Sequence, residues 1–513
     1  MEGTCQSSAT LLDMHGLMGK QFSALKGLKK THQEGDASRR VTTSNYPALD
    51  IQTPYDDSIP SSQEPSVQFY IDAMRIYLGL YEGSISLEDA VYASEKLKEN
   101  PEFIKHPLNP TIIPLNEIFK DKMLSNLQTL KKFNLLTRDS VKSAFSFALL
   151  SPVTPVSTID FKLLQILERD PLSTLVDAAA EIGVTPRTVA RSIERLEKNL
   201  VFRVSALMDM TAFGAQPFIL FFRLADGVEW DMVEDGFALY PFTKSILKTS
   251  MADLGYVSFL VPGPKENLVT FAEHINDISA ILFEYSSLHT QEGIGANTNL
   301  SLLKDNVWSI PEPVTRITED VSAEADRKIK VLKCKGWLPG LTEDDFRIIS
   351  CYRNALREPP RVLVDRFRMQ GLDIDARQVS QSIRKSFDRE LIHPFTDFRG
   401  IGLSTNFCFE IICDEVWRDR ILRAAITLPA LNYYLSQLGI IIWAQVPGDQ
   451  QVEYYQLFRA LERLKGVKSV NPIMTINLKG SRSELDMIKD WKFGSSGWSV
   501  DRRQLSLEGY FEV

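Results

Sequence analysis

Thr158–Leu200 reads TIDFKLLQILERDPLSTLVDAAAEIGVTPRTVARSIERLEKNL, and three short helices can be placed in it. Ile159–Leu167 is amphipathic, with Phe161, Leu164 and Leu167 three apart on one face. Leu175–Glu181 is a second helix, whose Ala178, Ala179 and Ala180 allow another helix to approach closely. Ile182-Gly183-Val184 is the turn, where glycine takes a positive φ at low cost. Thr185 suits the N-cap and Pro186 the first helical position of a third helix running to Leu200.

A helix, a short turn and a helix in this order lay the second helix in a DNA major groove. Val189, Ile193 and Leu196 form the expected inward face. Thr185, Arg187, Thr188, Arg191, Ser192 and Arg195 are the expected outward contacts. Arginine suits the task because it reaches guanine O6 and N7 with two hydrogen bonds and also pairs with phosphate. Phe202–Ala206, with Arg203, is expected to form a short wing.

On these residues the segment 158–214 resembles the N-terminal domain of the Lrp/AsnC family of prokaryotic regulators. Ile159-Asp160, Leu164, Leu167, Ala179-Ala180, Gly183-Val184-Thr185, Thr188-Val189, Arg191, Arg195-Leu196-Glu197 and Phe213-Gly214 carry the likeness. Asn199-Leu200 departs from it, where the family usually has glycine before the wing. The resemblance implies a ferredoxin-like βαββαβ sensing domain next, for dimer-like pairing and amino-acid sensing. Phe218–Leu224 and Tyr256–Val261 read as its strands, and Asp235–Leu247 and Asn267–Leu282 as its helices. A last strand is expected within Ile294–Trp308. Gly255-Tyr256-Val257-Ser258 lacks the acidic residue the family places near its effector pocket, so any small-molecule effector need not be an amino acid.

The order of elements then repeats. Asp345-Phe346-Arg347-Ile348-Ile349 matches Asp160–Leu164, and Gln378–Ile383 matches Thr188–Ile193. Asp345 follows Asp160 by 185 residues and Gly439 follows Gly255 by 184. Two motifs at nearly one offset point to a tandem duplication, so the chain resembles a tandem-duplicated, archaeal-type member of the family. A second reading helix is expected over Asp375–Glu390, with Arg377, Gln378, Gln381, Arg384 and Lys385 toward DNA. Asn406–Cys413, Trp417–Leu428, Ile440–Gln445, Val452–Leu464 and Val467–Met474 read as strand, helix, strand, helix and strand.

The expected organisation of these 513 residues is α+β. It has a disordered tail over 1–65 and a helical accessory domain over 66–150. A winged helix-turn-helix over 158–210 and a sensing domain over 215–310 follow. After a linker at 311–340 come a diverged winged helix over 341–400, a second sensing domain over 404–480 and an extension over 481–513. Trp491, Trp498 and Tyr510 suggest that the extension packs on the second sensing domain.

Composition narrows the function. The net charge of -8 leaves room for a local basic face only. Five irregularly spaced cysteines without a CxxC suggest neither a disulfide framework nor zinc. No apolar run approaches the ~20 residues that span a bilayer, and no signal-peptide core is evident, so a cytoplasmic location without membrane contact is expected. HExxH, P-loop, GxGxxG and nucleophile-elbow patterns are missing, and His274, His289 and His393 are scattered. The expected function is therefore a transcription regulator that binds double-stranded DNA, with no enzymatic activity, cofactor or metal, and a homo-oligomer is compatible with it. Two alternatives stand beside it: a tetrapyrrole enzyme resembling the siroheme decarboxylases, and a winged-helix scaffold that binds no DNA.

Overall fold

Apolar side chains crowd every side of α1 (Pro65–Glu82), and Phe69, Tyr70, Met74 and Tyr77 are all buried. A helix apolar all round must be covered on all sides. α2 (Leu87–Lys98) and α3 (Glu117–Lys132) belong to the same unit. α1 stops at Gly83, whose φ of 72° lets its N–H reach back to the last carbonyls. Ser86 and Asp89 form the expected capping box of α2. Part of the stretch expected to be a tail is ordered here. Ile51 and Ile59 are buried, and Arg75 holds Asp56 at 2.7 Å and the Ile51 carbonyl at 3.1 Å.

The computed structural model describes residues 51–98, 117–137, 140–141, 156–198, 202–248, 254–304, 307–309, 319–322, 328–354, 356–369, 372–398, 401–403, 405–447, 450–473 and 482–511. They fall into two compact units, one formed by the residues up to 141 and one by those from 156 on. Expectations for residues 1–50, and for most of 142–155 and 310–327, lie outside the described residues.

In the larger unit α4 (Thr158–Arg169), α5 (Leu175–Ile182) and α6 (Pro186–Lys198) follow the expected order. Gly183 ends α5 with φ 83°, and Pro186 opens α6. β1 (Phe202–Met208) comes next. The succession β2 (Ala215–Leu224), α7 (Trp230–Leu239), β3 (Thr243–Lys248), β4 (Leu254–Pro262), α8 (Lys265–Leu282) and β5 (Phe283–Thr298) then builds a sheet. The helix expected over Asp235–Leu247 is thus shorter and is followed by a strand. Proline has no N–H and a fixed φ, so Pro241 ends the helix and β3 begins two residues later. The last strand also starts earlier than expected, directly at the end of α8.

The second half runs through α9 (Glu343–Tyr352), α10 (Pro360–Met369), α11 (Ala376–Asp388) and β6 (Ile392–Phe398). It continues with β7 (Thr405–Cys413), α12 (Glu415–Ala425), β8 (Ala430–Ser436), β9 (Gly439–Val446), α13 (Gln451–Ala460) and β10 (Val467–Ile473). Strand β8, fully buried, was not expected.

All of these strands but β1 and β6 hydrogen-bond in the order β10-β7-β9-β8-β5-β2-β4-β3, and the short strand Leu332–Lys333 adds to β5 off this path. Within each half, the strands taken first to fourth in the chain stand in the order 4-1-3-2. The long β5 joins the halves, because its first part pairs with β2 and its second part with β8. Successive residues of a strand point to opposite faces, so each sheet has two faces to fill. Phe218, Leu220 and Phe222 pack toward the helices with Phe271 and Phe237. Ile219, Phe221 and Tyr256 face Cys408, Ile441 and Trp443 of the other half. The Tyr256 and Trp443 ring centroids lie 6.0 Å apart. The two half-sheets therefore pack face to face through their helix-free sides. Gly439 is required at the β8–β9 corner, since a Cβ there would stand 2.1 Å from the Ile411 carbonyl oxygen.

The C-terminal segment lies elsewhere than expected. Trp491 packs on Phe242, Phe511 on Phe237, and Trp498 on Phe346 of α9. It covers the helical side of the first sheet and reaches the second three-helix group. The aromatic side chains alone did not distinguish the two sheets as partners.

Candidate nucleic-acid interface

Both three-helix groups are built on the same polar strut. Ser157 caps α4, accepting from the Asp160 N–H at 3.2 Å and donating to its carboxylate at 2.7 Å. Asp160 is buried and meets the Arg195 guanidinium of α6 at 2.6 Å. Burial pushes the Asp160 carboxyl up, but the hydrogen bonds from Arg195, Ser157 and Ser192 outweigh this and hold it below its usual range. In the second group, Thr342 and Asp345 form a capping box at the start of α9. Asp345 accepts from Ser382 at 2.7 Å and from Lys385 at 2.6 Å. Its carboxyl is pushed up by burial and, on balance, lowered by Lys385, Ser382 and the Thr342 N–H.

These struts correct part of the expected DNA-contact set. Ser192 is buried, not outward, because it lies against Asp160. Arg195 is half-exposed and committed to Asp160. Lys385 is likewise committed to Asp345. A buried carboxylate needs a partner more strongly than a helix surface needs a further cation. Thr185 caps α6 through the Thr188 N–H at 3.2 Å, with the two hydroxyls 3.0 Å apart, so Thr188 is half-turned into the cap. Gln378 closes the box with Asp375, accepting from its N–H at 2.8 Å.

Arg203 does not sit on a free wing. β1 pairs antiparallel with β6 of the other half, from Phe202 opposite Phe398 to Met208 opposite Ile392. Arg203 stands across from Asp397 in this ladder and donates to the Asn354 carbonyl at 3.0 Å. The ladder forms because the inward residues of both strands, Val204, Ala206, Ile392 and Phe398, share one core.

What remains outward is a shorter set. Arg187 and Arg191 on α6, and Arg377, Gln381 and Arg384 on α11, are exposed. Among the described residues none of them engages a carboxylate. Positions 187 and 191, like 377 and 381, are four apart and share a helix face. Each group thus presents one polar, cation-bearing ridge at the N-terminal half of its third helix. That is the part of such a helix that meets base edges when it enters a major groove.

Two further clusters were not visible in the sequence. His289 on β5 and Glu410 on β7 are both fully buried and lie 2.6 Å apart across the packed sheets. Ser436 meets the other imidazole nitrogen at 2.7 Å, and Tyr285 and Asn471 donate to Glu410 at 2.8 and 2.6 Å. Burial pushes the Glu410 carboxyl up, and the hydrogen bond and charge of His289 outweigh it and hold it low. The second cluster borders a small cavity of about 40 Å³ lined by Leu207, Met210, Phe259 and Ile294. At its edge Glu484, from the C-terminal segment, joins Lys244 of β3 to Arg353, the latter at 2.6 Å. His274 on α8, His289 on β5 and His393 on β6 lie on separate elements.

Residues 157–199 match a winged helix-turn-helix DNA-binding family. No curated protein sequence matches the chain. Among solved structures, the siroheme decarboxylase NirDL is similar over 62% of this chain and 90% of its own, at 12% identity and a TM-score of 0.36. The transcriptional regulator NMB0573 of Neisseria meningitidis, solved with L-Met, is similar over 26% of this chain and 88% of its own, at 19% identity and a TM-score of 0.20. PH0061 is similar over 27% and 93%, at 18% identity and a TM-score of 0.18. Among the described residues, no helix is long and apolar enough to cross a membrane.

Proposed function

We propose that this chain is a sequence-specific regulator of double-stranded DNA of the Lrp/AsnC type. In this reading the two halves are a tandem duplication, and α6 and α11 are its two reading helices. The observation that carries it is the exposed pair Arg187 and Arg191, on the third helix of the segment that matches the DNA-binding family. The β1–β6 ladder and the face-to-face sheets support the second part, since they tie both helices into one frame. Dimeric regulators read two half-sites with two copies of such a helix, and here one chain supplies both. No catalytic role is part of this reading.

The test is binding of the purified chain to its own upstream DNA and to unrelated duplexes. Selective binding that weakens steeply with salt, and collapses in Arg187→Ala/Arg191→Ala, supports the reading. Binding indifferent to those arginines, or no selectivity, moves the assignment to a scaffold or to a tetrapyrrole enzyme.

A further inference from the structure

We propose that the two half-sites of the target DNA differ at one defined base pair, with guanine read by Arg191 and adenine by Gln381. This rests on the DNA-binding reading above. It follows from placing α6 and α11 in register by their contacts. Thr185 and Asp375 are the two N-caps, Thr188 and Gln378 the residues that close them, and Ser192 and Ser382 the buried hydroxyls on the struts. Arg195 and Lys385 are the two strut cations. In every pair the second residue follows the first by 190, so the two helices are fixed in register by geometry as well as by sequence.

The same register pairs the outward residues. Arg187 stands with Arg377, two identical side chains one position inside the helix start. Arg191 stands with Gln381, one turn further along the same face. Both members of this second pair are exposed, and among the described residues neither is committed to a carboxylate. Their chemistries differ in a way DNA can report. A guanidinium donates twice and matches the O6 and N7 acceptors of guanine. A carboxamide donates once and accepts once, which matches N7 and the N6 amino group of adenine. A shared arginine followed by a non-shared residue gives half-sites that agree at one position and differ at the next.

The experiment is selection from a randomised duplex library by the full chain, by Arg191→Gln and by Gln381→Arg, followed by affinity measurement on the enriched sites. Wild type is expected to enrich two related half-sites, G·C at one position of the first and A·T at the equivalent position of the second. Arg191→Gln should replace that guanine by adenine and make the half-sites alike at that position, and Gln381→Arg should do the converse. The preference at the changed position should move by about tenfold or more. Identical half-sites in wild type, or variants that enrich the wild-type site with only weaker affinity, would overturn the proposal while leaving the DNA-binding reading in place. No enrichment by folded wild-type protein would overturn both.

Discussion

The two three-helix groups share a frame and differ in what they show to solvent and in how they are held. Each has a capped first helix whose buried aspartate is met by a serine and a cation of the third helix. On the outer face, the first presents Arg187, Arg191 and Glu194, and the second presents Arg377, Gln381 and Arg384. Glu194 and Arg384 occupy one register position with opposite charge. The attachments also differ. The first group meets the end of the long strand β5 through Glu168, which accepts from the Leu300 N–H at 3.0 Å. The second is clamped by the C-terminal segment, through Glu484 on Arg353 and Trp498 on Phe346. Internal polar contacts that hold the fold run in parallel in the two groups, while the outward residues and the outer fastenings differ.

The largest stability effect is expected at the clamp. Glu484→Ala removes the Glu484 carboxylate from Arg353, which is 2% exposed. Removing one partner of a buried pair costs ~3–5 kcal/mol, and a denaturant titration would measure it. A loss below ~1 kcal/mol would show that the clamp is not what distinguishes the second group.

The next effect is a pH dependence peculiar to the first group. Burial pushes the Glu168 carboxyl up to about 7, only partly offset by the Leu300 N–H and Lys330. A carboxyl raised above its unfolded value near 4.3 binds protons in the folded state first. Its contribution is fully present below the unfolded value and is lost as pH rises through about 7. Stability should fall by on the order of 3 kcal/mol across this window, and Glu168→Gln should flatten that part of the profile. An unchanged profile in the variant would remove this difference between the groups.

The smallest effects are expected at the struts. Arg195→Ala and Lys385→Ala should each cost ~1–2 kcal/mol, less at Arg195, whose side chain is 53% exposed against 32% for Lys385. Both aspartates are held below their usual range, so the sign is opposite to that of Glu168. Their contribution is present above the unfolded value near 3.9 and disappears as pH falls through the lower folded values. Asp160→Asn and Asp345→Asn should therefore shift acid unfolding, seen by circular dichroism, and leave the profile above pH ~5 unaltered.

The helices, the Gly183 turn and the Thr185-Pro186 start were legible because they are local: a few adjacent residues determine each. The exposure of Arg187 and Arg191 on α6 was legible for the same reason. Ser192 was misplaced, and the ion pairs of Arg195 and Lys385 were missed, because an outward helical position says nothing of a buried carboxylate on another helix. A signal was present, since Ser157-Thr158-Ile159-Asp160 and Thr342-Glu343-Asp344-Asp345 have the spacing of a cap that fixes its carboxylate. No local signal could have shown that β1 finds its partner in β6, that His289 meets Glu410, or that the C-terminal tryptophans choose the first sheet. Those contacts join residues more than a hundred positions apart.

The most direct test of the central claim is the salt dependence of DNA affinity for wild type, Arg187→Ala/Arg191→Ala and Arg377→Ala/Arg384→Ala, read by fluorescence anisotropy on one selected duplex. The account predicts that both double variants bind less tightly and less selectively, each with a log–log slope shallower than that of wild type by up to about two. Unchanged affinity, selectivity and slope in both would contradict it.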